Sequence, residues 1–106
     1  MNEASIPPAA LRDQDAVEML RVWIAEHKLH CSLSIGMYRE RNIAEDIAWG
    51  TILADAARHI ARALSEDGEE TEAALLENIR VQINEELAAP TSPATGEWVN
   101  RAGPAS

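Results

Sequence analysis

The sequence predicts an α+β fold in which a single strand is completed to an antiparallel sheet by the mate of a homodimer. Three observations predict it. The stretch "LHCSLSIGMY", residues 29 to 38, alternates apolar and polar residues without a fault, which is the period of a half-buried strand. Long stretches on either side repeat apolar residues at helical spacing. No second stretch shows comparable strand character, so the expected order is helix, strand, helix, helix.

The first helix is expected to begin at Asp13 or Asp15, either of which can cap free backbone donors; Glu18 stands three residues after Asp15, the capping-box spacing. Val17, Leu20, Trp23 and Ile24 then share one side, while Glu18, Arg21, Glu26 and Lys28 face water. The basic "HK" suits the negative pole of that helix.

In the strand, Leu29, Cys31, Leu33, Ile35 and Met37 point one way, and His30, Ser32, Ser34, Gly36 and Tyr38 the other. A solitary strand leaves both rows of backbone donors and acceptors without partners. Three completions exist: the tail segment "GEWVN" adds beside it, "AWGTIL" is strand instead of helix, or the same strand of a second chain pairs about a twofold axis. The tail is short of apolar residues and the second option breaks a long helical pattern, which favours the third. In a self-paired antiparallel ribbon the apolar faces coincide only when the two residue numbers sum to an even constant. The axis then passes through a residue near Leu33 or Ser34, and Leu29, Cys31, Leu33, Ser34, Ile35 and Met37 form the dimer strand.

After the charged turn "RERN" a long helix is expected from Ile43 or Glu45 to Leu64. Ile43, Ile47, Gly50, Ala54, Ala57 and Ala61 lie on one side of it, and Trp49, Leu53, Ala56, Ile60 and Leu64 on the adjoining side. So wide an apolar arc marks the spine of the domain. "SEDG" stops this helix, with Gly68 free to adopt the left-handed conformation. The third helix opens on "EETE", acids matched to its positive pole, and runs to Leu87 with Leu76, Ile79, Ile83 and Leu87 at heptad-like spacing.

Residues 13–88 are thus expected to form one α+β domain, between a flexible N-terminal segment 1–12 and a flexible Pro/Ser/Thr/Ala/Gly-rich tail 89–106. A core of that size hides only about 60% of its unfolded surface, so a partner subunit would help. The chain has 106 residues, 46% hydrophobic and 25% charged, with no Phe, so its core must be aliphatic with Trp at a few anchors. A net charge of -9 repels phosphate backbones and anionic bilayers, which disfavours nucleic acid and membranes as partners. The N-terminus shows no basic start with an apolar run, and one cysteine suits a reducing compartment. The expected setting is the cytoplasm, most simply a bacterial one.

Chemistry-bearing residues are few. His30 and Cys31 are strand neighbours projecting to opposite faces, unsuited to sharing one metal ion or forming a thiolate–imidazole pair. No metal or cofactor is expected. Asp55 and His59, four apart on the long helix, allow the carboxylate to orient the ring, and Arg58 and Arg62 beside them would suit an anion. Alternating charges on an exposed helix face explain the same residues without function. Trp98, alone in a polar tail, is either a docking hook or an ordinary exposed residue. The acids from Glu66 to Glu72 lack the alternating oxygen ligands of a calcium loop and read as a helix start.

"DAVEMLRVWIAEHKLHCSLSIGMY" followed by "AWGTILADAARHIARAL" resembles a family of short alphaproteobacterial proteins described only as a domain of unknown function, over Ala9 to Leu64. The resemblance implies a soluble bacterial protein and brings no activity or catalytic residue with it. The expected function is a homodimeric binding or interaction module, partnered by itself and by an unknown protein or small ligand. The alternative is a ligand binder or enzyme using His30, Tyr38, Asp55, Arg58 and His59 from the polar strand face and the helix.

Overall fold

The computed structural model of the chain describes residues 1–102. Its elements run α1 (Pro8–Arg12), β1 (Leu20–Ala25), β2 (Lys28–Ile35), a 3₁₀ turn (Arg39–Arg41), α2 (Glu45–Asp67), α3 (Glu72–Ala88) and β3 (Ala94–Asn100). The class is α+β, and the sheet is three-stranded and mixed, in the order β1-β2-β3. Contacts divide the chain into two compact units. One comprises Met1–Gly36 and the segment from Ala94; the other is Met37–Pro93.

The sheet unit corrects the expected first helix. "LRVWIA" is a strand, antiparallel to β2, with Leu20 opposite Leu33 and Ala25 opposite Lys28. The residues joining them, Glu26 and His27, both have positive φ, 53° and 65°. Two successive left-handed residues are what a two-residue hairpin needs to match strand twist, a role that usually falls to Asn-Gly. Val17, Leu20, Trp23 and Ile24 satisfy helical spacing, but Leu20, Val22 and Ile24 equally satisfy strand alternation, and pairing with β2 decides between them.

The other side of β2 is closed by β3, which lies parallel to it, Leu29 opposite Ala94 and Ile35 opposite Asn100. This is the "GEWVN" completion, set aside in favour of a second chain. The stretch expected as a loose tail therefore carries a strand, and α1 lies within the expected flexible N-terminus; residues 103–106 lie outside the described residues. With β1 on one edge and β3 on the other, β2 has no free edge, and the premise for pairing it with its twin is removed. Met37 and Tyr38 fall beyond the strand, because Gly36 at φ 88° ends the alternation.

Two glycines fit β3 against β2. A Cβ on Gly96, whose φ is 151°, would lie 1.7 Å from the Cys31 carbonyl oxygen. A Cβ on Gly36 would meet Asn100 Oδ1 at 2.5 Å and the Ala102 nitrogen at 2.7 Å. The Arg101 N–H donates to the Ile35 carbonyl and extends the ladder past the strand end.

The second unit is a helical hairpin. Thr71 caps α3, its side chain accepting from the Ala74 N–H at 3.1 Å. Gly68 closes α2 in extended backbone, φ -137°, instead of the expected left-handed form. The Arg62–Glu72 pair (3.3 Å) ties the C-terminal half of α2 to the start of α3. In that region Ala57 and Ala61 are buried while Leu75, Leu76 and Ile79 are half-buried. Of the small residues expected on one side of α2, Ala57 and Ala61 are buried, whereas Gly50 stands in open space and Ala54 is exposed. Among the described residues the buried apolar side chains are Ala48, Ala57 and Ala61, and none is large.

Candidate functional site

The pairing registers assign every side chain in the sheet to a face. Residues directly opposite share a face. Leu20, Val22 and Ile24 of β1 therefore join Leu29, Cys31, Leu33 and Ile35 of β2 and Trp98 of β3. The opposite face carries Arg21 and Trp23, His30, Ser32 and Ser34, and Thr95, Glu97 and Val99. The apolar face is poorly covered: Ile24 is 75% and Trp98 68% exposed.

On the polar face His30 is held at both ring nitrogens. Nε2 lies 3.1 Å from the Ala25 carbonyl, which can only accept, so Nε2 donates. Nδ1, 3.3 Å from Thr95 Oγ1, accepts the hydroxyl proton in the neutral ring. His30 thus links its strand to both neighbours, a structural task that occupies the two atoms a general base or ligand would use. Ser34 is buried, its N–H donating to the Met19 carbonyl and its hydroxyl accepting from Arg101 Nε at 3.4 Å. Cys31 lies half-buried on the apolar face.

Tyr38, Asp55, Arg58 and His59 belong to the helical unit, whereas His30 belongs to the sheet unit. The Tyr38 backbone N–H donates to Glu45 Oε1 at 3.1 Å, fixing the start of α2. Asp55 accepts from Arg58 one turn away, so its carboxylate is engaged by the guanidinium, not by the His59 ring. Both members of that pair are more than half exposed, and His59 is exposed too. Among the described residues no group of three or more His, Cys, Asp and Glu is arranged to hold a metal. Among the described residues no helix is long and apolar enough to cross a membrane.

A feature missed in the sequence lies in the sheet unit. A groove of about 640 Å³ is bounded by residues 2–7 and by β1, with Ile6, Pro7, Val17, Leu20, Val22 and Trp23 among its walls. Residues of both sheet faces line it, which places it at the outer edge of β1. Its signal in the sequence was the alternation of "LRVWIA", masked by the helical reading.

What the fold and these residues define is an α+β protein in which His30, Ser34 and Asp55 are engaged by neighbouring groups, and large apolar side chains such as Ile24, Leu87 and Trp98 stand exposed. The chain belongs to the family "Domain of unknown function (DUF5076)", whose model matches residues 3–91. The resemblance seen over Ala9 to Leu64 thus extends through α3. No curated protein matches this chain in sequence. Among solved structures it is similar to one described as "Structure of a putative pyruvate dehydrogenase from the photosynthetic bacterium Rhodopseudomonas palustrus CGA009", with 32% identity and a TM-score of 0.65, covering 90% of this chain and 92% of that one.

Proposed function

We propose that this protein is a homodimeric interaction module without a catalytic role. The observation that carries the proposal is that, among the described residues, the buried apolar side chains are alanines, while Ile47, Leu53, Ile60, Leu64, Ile83 and Leu87 on the helices and Val22, Ile24 and Trp98 on the sheet are all exposed. Self-association supplies the missing cover in a form always present at the protein's own concentration.

The experiment is the molar mass of the full chain by light scattering after size exclusion. A mass near twice 11.6 kDa supports the module, and a compact, cooperatively folded monomer contradicts it. The enzyme reading draws on the pyruvate activity in the description of the similar structure. It finds less support here, since His30 and Asp55 are already engaged by Thr95, Ala25 and Arg58. Turnover of pyruvate by the purified chain would reverse that preference.

A further inference from the structure

We infer that the docking surface of the module is the outer edge of β1, and that its occupant is β1 of a second copy. This deepens the dimer proposed above and rests on it. The edge can be derived from the hairpin. Because Ala25 and Lys28 flank a two-residue turn, they form a hydrogen-bonded pair, and bonded pairs recur at every second position. The Ser34 N–H to Met19 carbonyl bond (3.0 Å) obeys that phase. Arg21, Trp23 and Ala25 therefore spend their backbone groups on β2, while the N–H and C=O of Leu20, Val22 and Ile24 point outward. No hydrogen bond among the described residues satisfies them.

A strand edge of this kind is a template for another strand. Residues 2–7 form the far wall of a groove along this edge, so pairing with a second copy moves that segment aside. The phase of the outward groups then restricts self-pairing. Outward residues must face outward residues, so the paired numbers sum to an even constant. A sum of 44 pairs Leu20 with Ile24 of the second copy, Val22 with Val22, and Ile24 with Leu20, three bonded pairs and six hydrogen bonds. A sum of 46 retains only two such pairs within the strand, and 45 puts outward groups against inward ones. The twofold axis accordingly passes through Val22, and the two sheets become one of six strands.

The side chains agree with that register. On the apolar face Leu20, Val22 and Ile24 of both copies merge into a single ridge. On the other face Arg21 of each copy stands opposite Trp23 of the other, a cation facing an aromatic ring. Arg21 keeps its 2.9 Å pair with Glu18 on its own chain.

The test uses the full chain with Cys31→Ser, so that one introduced thiol is present. At a bonded antiparallel pair the Cα atoms stand about 5.5 Å apart, inside the range that a disulfide spans. Under mild oxidation at low micromolar concentration, Val22→Cys is expected to give nearly complete covalent dimer, and Ile24→Cys, which faces Leu20, almost none. Hydrogen exchange of the unmodified chain provides a second readout: the Val22 amide is expected to be protected in the dimer and to lose protection on dilution. A dimer by mass in which Val22→Cys fails to cross-link, or in which both variants cross-link equally, overturns the edge assignment and leaves the dimer standing. A Val22 amide that stays protected at dilutions where the chain is monomeric by mass shows that the chain's own N-terminal segment occupies the edge, and also overturns it. A monomer by mass removes the dimer and this inference together.

Discussion

The sheet unit and the helical hairpin are held by different means. In the hairpin the partners are near in sequence: Arg62 reaches Glu72, Thr71 caps Ala74, and alanines at i and i+4 let two helices approach. In the sheet unit the closing contacts join the two ends of the chain, as when Thr95 meets His30 across 65 positions. The hairpin is therefore built of contacts that form early and locally, whereas β3 can add only after a long loop has closed. Both units share one property: among the described residues neither fully buries a large apolar side chain.

Substitutions that break one unit and spare the other sharpen this contrast. The largest effect is expected from Gly96→Val, whose side chain cannot coexist with the Cys31 carbonyl. Loss of β3 should lower stability by roughly 3 kcal/mol or more. Hydrogen exchange should then find residues 94–100 unprotected while the amides of α2 and α3 stay slow. Ala61→Leu tests the hairpin in the converse way. Ala61 is fully buried, and overpacking such a site costs about 1 to 3 kcal/mol, so α2 and α3 should lose protection first and the sheet should keep it.

A smaller change is expected in the stabilising direction. Glu26 and His27 occupy the left-handed region at a cost of about 1 kcal/mol or more each. Replacing the pair by Asn-Gly should raise the melting temperature by several degrees, with no change in the hairpin. If stability falls instead, the turn geometry is misread.

The smallest effect concerns pH. Glu86 is held below the usual carboxylate range, first by the Thr91 backbone N–H at 3.0 Å and then by the Thr91 hydroxyl. A carboxyl whose pKa is depressed on folding stabilises above its unfolded value and ceases to do so as pH falls through the folded one. The turn after α3 should open only below the ordinary value of 4.5. Chemical shifts of Thr91 followed against pH check this, and Glu86→Gln should abolish the step.

The hairpin was legible in the sequence for the reason that makes it local. Twenty residues of unbroken helical spacing, an acidic start and a Gly68 stop outweigh the reading of "AWGTIL" as strand, and α2 and α3 fall within a few residues of their expected ends. β2 was legible because "LHCSLSI" alternates strictly. Its neighbours were not. β1 satisfies both periods at once, and its turn is Glu-His, with neither Gly nor Asn to announce positive φ. β3 is parallel to its partner, so no hairpin turn marks it, and its residues are exposed and carry little apolar pattern. The candidate site followed the same division: Asp55, Arg58 and His59 were correctly placed together on one helix, but only coordinates could assign Asp55 to Arg58 and both nitrogens of His30 to neighbouring strands.

The central proposal, that folding is completed by association, is motivated by the large apolar side chains that stand exposed on the sheet and on the helices. Urea unfolding of the full chain, followed by far-UV circular dichroism over a hundredfold range of protein concentration, tests it most directly. A dimer gains stability by mass action, so the midpoint should rise steadily with concentration. A midpoint that stays constant across that range, with a single cooperative transition, would contradict the account.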